Sequence, residues 1–310
     1  MPTLQQDTIR HTTIVDAPAT LVFDLVAGFD RWPEFHGPSV HAERLGHQDG
    51  AEVYRHWWVI DDHTVRSWQA RWRFHRDELR ISFEFDPEGP DAAPSRGQFA
   101  FLSLSAGSAE IRAEQTVSGP GSYDPERVER ELRELVDRFA DAAARSEERR
   151  DLVVDFEDPL FVAGPLDDAY NYLYEADKWP ERIPHVSRLT LEEPVPGVQF
   201  FDMDTQTPDG SAHTTRSVRI CLAGNRIVYK QIHLPKLLDG HTGHWKFTPT
   251  REGFILAARH TATIKPDALP ILGPGTTVLD ARRYLRRVLS TNSMSNLRLA
   301  KAYAEERGGV

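Results

Sequence analysis

The chain repeats itself, and that constrains its fold more than any other feature. Ala17-Pro18, Phe23 and Trp32-Pro33-Glu34 return 147 residues later as Gly164-Pro165, Tyr170 and Trp179-Pro180-Glu181. Arg66-Ser67 returns as Arg216-Ser217 at an offset of 150, and Gly97 with Phe99 and Phe101 returns as Gly243 with Trp245 and Phe247 at an offset of 146. Offsets this constant over roughly 80 positions fit two copies of one fold that differ by small loop changes. The charged run 145–150 leads straight into a new strand at Asp151, so the boundary is placed there, giving domains 1–150 and 151–310. A chain of 310 residues with 40% hydrophobic content is long enough to bury a core in each.

Charge narrows the partners. With 37 basic against 47 acidic residues the net charge is −10, which argues against a polyanion such as nucleic acid. Residues 1–150 hold 18 arginines, no lysine and 27 acidic residues, a net of −9, whereas the remainder is nearly neutral at −1. The second half is therefore the expected dock for an acidic partner. A single cysteine, Cys221, forms no internal disulfide and suits a cytoplasmic protein. No apolar run approaches the ~18 residues of a membrane span, and the first residues lack the basic and apolar regions of a signal peptide.

Each copy opens with a short strand (8–15 and 153–161), followed by a proline-started helix (18–26 and 165–175). In the first copy, alternating runs at 52–60, 64–74, 79–85, 97–104 and 109–118 predict an antiparallel meander. A long helix closes each copy. Its apolar stripe is Val128, Leu132, Leu135, Val136, Phe139 and Ala143 in the first, and Leu285, Val288, Leu289, Asn292, Asn296 and Leu299 in the second. The fold class is α+β: two tandem helix-grip domains, each a curved antiparallel sheet wrapped around a long C-terminal helix, with a cavity between them.

The Ala-Pro opening, Trp-Pro-Glu, Arg66-Ser67-Trp68, and Leu289-Ser290-Thr291 with Asn296-Leu297 resemble the two-domain polyketide aromatase/cyclases of bacterial aromatic polyketide synthases, which belong to the START-like helix-grip superfamily. The resemblance covers nearly the whole chain. It implies an enzyme that guides first-ring aldol cyclisation and dehydration of a poly-β-ketone, tethered to an acyl carrier protein and already reduced at one ketone, without a cofactor. The first copy departs in having Asp137-Arg138-Phe139-Ala140 in place of an Asn-rich helix, and the second in having Val218 where the first has Trp68. A lipid or aromatic-product carrier that does no chemistry is the alternative.

Alternation along 64–74 places Arg66, Trp68, Ala70, Trp72 and Phe74 on the inner face, and along 214–222 it places Arg216 on the inner face. An arginine there is either ion-paired or waiting for a polar ligand. In the second case Arg66 and Arg216 anchor ketone oxygens and stabilise developing enolate charge; a slip of one residue would bring Arg71 and Arg219 inward instead. Proton transfer is assigned to His233 and Tyr229, in phase with Gln231 on the strand 226–234. Trp57, Trp58, Trp68, Trp72, Phe83, Phe99 and Phe101 are either plain core or the walls of a slot that flattens the chain, with Trp245, Asn292 and Asn296 as further contacts in the second copy. His241 and His244, three apart on a strand, fall on opposite faces and make a poor metal pair. Arg282, Arg283, Arg286 and Arg287 share one outward helix face, the expected dock for the acidic carrier protein.

Overall fold

The computed structural model describes residues 5–85, 94–119, 124–206 and 212–309. Packing divides the chain into two compact units. The first runs to Ile60 and resumes over Val65–Glu148; the second holds Asp61–Thr64 and everything from Arg149.

In the first unit the order is β1 (Gln5–Val15), α1 (Ala19–Ala27), α2 (Trp32–Phe35), β2 (Ser39–Gln48), β3 (Ala51–Asp61), β4 (Thr64–His75), β5 (Arg80–Phe85), β6 (Ser95–Ser105), β7 (Ser108–Gly119) and α3 (Pro125–Ala144). The seven strands form one sheet in the order β1-β7-β6-β5-β4-β3-β2. Local chemistry explains the punctuation. Asp49 and Gly50 both take positive φ (50° and 74°), the turn that joins β2 to β3. Asp124 accepts from the Glu126 amide at the start of α3, with Pro125 in the first turn. α3 then buries Leu132, Val136, Phe139, Ala142 and Ala143, close to the expected stripe.

The second unit repeats the plan: α4 (Ser146–Leu152), β8 (Val153–Val162), α5 (Leu166–Tyr174), α6 (Trp179–Arg182), β9 (Val186–Val195), β10 (Val198–Gln206), β11 (Ala212–Leu222), β12 (Arg226–His233), β13 (Leu238–Pro249), β14 (Phe254–Ile264) and α7 (Val278–Gly308). Its sheet order, β8-β14-β13-β12-β11-β10-β9, is that of the first. The α+β class and the tandem sheet-and-helix plan are as expected from the sequence. α7 starts with a reciprocal Thr277–Asp280 capping box and ends at Gly309 in the left-handed region.

Two expectations need correction. The edge strands β2 and β9 escape a hydrophobicity reading because an edge strand can be polar, and β2 is polar over most of its length. The stripe of α7 is also displaced: the buried residues are Ala281, Leu285, Ser293, Asn296, Leu297, Ala300 and Ala304, while Val288, Leu289, Asn292 and Leu299 are half-buried. Four of those seven are small, so they carry little hydrophobic signal.

A third correction sets the register of the repeat. In the first sheet Trp72 pairs with Phe83, and Phe83 with Gly97. In the second Arg219 pairs with Tyr229, and Tyr229 with Gly243. Both glycines are required by close approach. A Cβ on Gly97 would lie 2.5 Å from the Phe83 ring, and one on Gly243 2.4 Å from the Tyr229 hydroxyl. The two rows are equivalent, so Arg219 takes the place of Trp72. The similarity of Arg66-Ser67 to Arg216-Ser217 does not reflect equivalent positions.

Candidate active site

The inner face of the first sheet is an aromatic wall. Tyr54, His56 and Trp58 from β3, Trp68 and Trp72 from β4, Phe83 and Phe85 from β5 and Phe99 from β6 all turn toward Trp32, Phe35 and Phe139. Trp72, Phe83 and Phe99 are buried; Trp58 and Trp68 are half-buried and meet edge to face, with ring centroids 4.8 Å apart. Trp57 points to the other face, stacked on His41. His56 was not anticipated, because a lone histidine in Tyr54-Arg55-His56-Trp57-Trp58 carries no sequence signal of its own. It is fully buried, stacked on Trp68 (5.5 Å), and accepts at Nε2 from the Trp72 indole at 3.1 Å. Burial, with His41 adding to it, holds its pKa down to about 3. A neutral ring that accepts at Nε2 carries its hydrogen at Nδ1. That N–H and those of Trp58 and Trp68 have no partner among the described residues, so three donors lie together in an otherwise apolar wall.

Arg66 stands at the start of β4 beside this wall. Its guanidinium lies 5.7 Å from the Trp68 ring and 3.6 Å from Glu131 of α3, and its side chain is 43% exposed.

The second unit has a different interior. Its apolar core is split into two clusters, one containing Leu160, Ile227, Trp245, Ala258 and Leu297, the other Val154, Leu238, Ala262 and Leu285. Polar residues occupy the intermediate positions on the same strands: Asp158, Tyr229, Gln231, His241 and His260, with Ser290 and Ser293 on α7. The Tyr229 hydroxyl lies 2.7 Å from His260 Nδ1 and 3.3 Å from His241 Nε2, and His241 Nδ1 donates to Gln231 Oε1 at 3.0 Å. Burial holds His241 at about 3, with His260 adding to it, and His260 at about 4, where Asp158 works against burial and Arg286 with it. Burial also raises the Tyr229 phenol. For Asp158, burial opposes the charged form, but hydrogen bonds from Arg286 and Ser290 hold its carboxyl below the ordinary value. Trp245 Nε1 and Asn296 Oδ1 are buried with no partner among the described residues. Asn292 is half-buried.

Two assigned positions turn out otherwise. A bulge between Arg216 and Ser217, where they pair with His233 and Gln231, breaks the alternation of β12. His233 is thereby placed out of phase, 57% exposed and 3.7 Å from Asp62 rather than beside Tyr229. Arg216 does not share the inner face. Its guanidinium is 6% exposed and is held by Asp202, Glu192 and the carbonyl of Asp62. The inward arginine is Arg219, as the one-residue slip would have it. Arg219 is fully buried over Trp179 and Phe201, and it donates to the carbonyls of Leu173 and Tyr174 and to Gln199. Arg71 instead pairs with Glu84.

The four clustered arginines line an open groove of about 580 Å³ between β8 and α7, with Asp155, Phe156, Leu279, Ser290 and Thr291. All four open on this groove, but two of them are engaged within the fold. Arg282 donates to the carbonyls of Asp151 and Val153, and Arg286 makes two hydrogen bonds to Asp158 while lying 3.9 Å above the Phe156 ring. Arg283 and Arg287 are exposed. No described helix is long and apolar enough to cross a membrane.

No family model matches the sequence. The granaticin polyketide synthase bifunctional cyclase/dehydratase of Streptomyces violaceoruber is 36% identical over 312 residues, covering 96% of this chain and 94% of that protein. The actinorhodin polyketide synthase bifunctional cyclase/dehydratase of Streptomyces coelicolor is also 36% identical, covering 96% of each. Among solved structures, the di-domain aromatase/cyclase StfQ of the steffimycin pathway is 71% identical, with a TM-score of 0.95 over 97% of this chain and 100% of that one. BexL, from the BE-7585A pathway, is 33% identical with a TM-score of 0.86 over 96% and 99%. Two sheets each closed by a long helix, buried polar groups inside both, and relatives alike over their full length lead to one conclusion: this chain belongs to the bifunctional cyclase/dehydratase family of polyketide synthases, the di-domain aromatase/cyclases.

Proposed function

We propose that this enzyme acts on a poly-β-ketone that is tethered to an acyl carrier protein and already reduced at one ketone, and that it directs closure and dehydration of the first ring. The carrying observation is the trio of partnerless N–H donors on His56, Trp58 and Trp68. In an aldol closure an α-carbon loses its proton and attacks a ketone, whose oxygen becomes an alkoxide. Buried donors aimed at such an oxygen stabilise it far more than water would, and the half-buried rings of Trp58 and Trp68, backed by the buried Trp72, Phe83 and Phe99, supply flat walls that hold the chain near its attacking geometry. Arg66, whose ion pair among the described residues is with the half-exposed Glu131, turns to the substrate's oxygens. A carrier of lipid or finished product would be better served by a dry wall, since a partnerless buried donor costs about 1–3 kcal/mol.

The arginine groove is the proposed dock for the acidic carrier protein, with Arg283 and Arg287 making the contact and Arg282 and Arg286 shaping the site. A free thiol at Cys221, raised to about 11 by burial, suits a reducing cytoplasm. The test is product analysis of a minimal polyketide synthase with its ketoreductase, supplied with the wild type or Arg66→Ala. Conversion of shunt products to a single aromatic ring by the wild type, reduced in the variant, supports the proposal; an unchanged product profile with the wild type overturns it.

A further inference from the structure

We propose that the polar band between the two apolar clusters of the second unit is a separate acid–base site, where His260 Nε2 exchanges a proton with a β-hydroxy ketone and Tyr229 and His241 set its tautomer. The inference rests on the cyclase reading above and adds to it where the elimination of water takes place.

The band is built from four strands and the long helix. Asp158 lies on β8 between Leu160 and Phe156, His260 on β14 between Ala258 and Ala262, and His241 on β13 between Gly243 and Leu238. Tyr229 follows Ile227 on β12, and Ser290 and Ser293 interrupt the apolar face of α7. Five elements placing polar groups at one level is a costly way to build a core. A core with only a structural purpose would carry aliphatic residues there, as the neighbouring levels do. Gly243, lacking a side chain, leaves the space that the Tyr229 hydroxyl occupies.

Within this band of Asp158, Tyr229, Gln231, His241 and His260, the hydrogen bonds among the described residues leave His260 Nε2 without a partner. Gln231 Oε1 only accepts, so His241 carries its hydrogen at Nδ1 and keeps a lone pair at Nε2. That lone pair, the Tyr229 hydroxyl and His260 Nδ1 form a triangle with sides of 3.3, 2.7 and 3.2 Å. If the phenol donates to His260 Nδ1, the His260 hydrogen sits at Nε2. If the phenol turns to His241, His260 holds its hydrogen at Nδ1 and presents a lone pair at Nε2. Nε2 itself is buried with no partner among the described residues, in a side chain more than nine-tenths buried. The direction of the phenol therefore goes with one His260 tautomer or the other, and passing between them moves the ring proton as well as the hydroxyl; with the phenol turned to His241, Nε2 is the free base. The other charged groups facing it are Asp158 of β8 and Arg286 of α7, which neutralise each other.

The step balances without a co-reactant. His260 Nε2 takes the proton from the carbon between ketone and carbinol. The C–O bond to the hydroxyl breaks as the carbon–carbon double bond forms, and the departing oxygen takes the proton from Nε2 and leaves as water. His260 is the catalytic residue here; Tyr229 and His241 are positioning residues.

The test uses full-length protein with the polyketide made in place by a minimal synthase and ketoreductase. His260→Gln should still close the ring but accumulate a product heavier by one water, with dehydration slowed by about 10²–10⁴. Tyr229→Phe removes one oxygen from a ring that keeps its packing, and carries the test should His260→Gln unfold. It should slow dehydration and move its pH profile, which a loss of packing alone would not. Dehydration at the wild-type rate by His260→Gln, or an unmoved pH profile in Tyr229→Phe, overturns the inference while ring closure by the same samples leaves the cyclase reading intact. Failure of the wild type to close a ring overturns both.

Discussion

Arg219 occupies in the second unit the place that Trp72 holds in the first. Each lies across the sheet from an aromatic ring, Tyr229 or Phe83, and beyond each ring stands a glycine. One duplicated row has become an aromatic wall in the first copy and a polar anchor in the second, so the two interiors now offer different chemistry.

The arginines separate by stability. Arg66 sits in a half-exposed ion pair, and its replacement by alanine should cost no more than about 1 kcal/mol. Arg216→Ala unpairs the carboxylate of Asp202, which is one-third exposed and open to water, whereas Arg219→Ala strands the end carbonyls of α5. The loss for Arg219→Ala should be about 1–3 kcal/mol for each acceptor left bare, and that for Arg216→Ala smaller, since water reaches Asp202. Urea unfolding of the three variants checks the order.

These residues also show what the sequence could tell. The tandem plan was legible because proline, Trp-Pro-Glu and the glycine rows punctuate both copies at nearly the same interval. The inner face of β4 was legible because strict alternation holds along it. The inner face of β11 was not, because a chance Arg-Ser pair suggested an offset of 150 where the strand pairing uses 147. A bulge then moved His233 out of phase with Tyr229. His241 and His260 come from different strands, and only the pairing of β13 with β14 brings them together. His56 could not be told from a core residue without knowing that its Nδ1 lacks a partner.

The buried histidines predict a pH dependence. His56, His241 and His260 have folded-state values of about 3, about 3 and about 4, against the ordinary 6.5. Above about pH 6.5 neither folded nor unfolded chain is protonated at these sites and their contribution is intact. As the pH falls below that value the unfolded chain takes up protons that the folded one refuses, so stability is lost progressively toward the folded values. Each site contributes up to about 1.4 kcal/mol per pH unit. His56→Gln should flatten the slope of unfolding free energy between about pH 5 and pH 7 by one proton; an unchanged slope contradicts burial of a neutral ring.

At the groove, the double reversal Arg283→Glu with Arg287→Glu should raise the dissociation constant for an acyl carrier protein by about tenfold or more at low salt, with the difference shrinking as salt is added. Folding should be unaffected. Arg286→Glu, which sets two carboxylates against each other beside Phe156, should instead lower the melting temperature. Calorimetric titration and thermal melts distinguish the two, and unchanged carrier binding by the double variant rules out this dock.

The central claim is that the partnerless donors of the first unit hold ketone oxygens while the ring closes. It is tested most directly by measuring ring closure with His56→Phe and Trp68→Phe, each of which keeps an aromatic slab and removes one N–H. The account predicts closure slowed by about 10²–10³ for each lost donor, with the melting temperature near that of the wild type in Trp68→Phe and lowered in His56→Phe, where the Trp72 N–H loses its acceptor. Ring closure at the wild-type rate in both variants would contradict it.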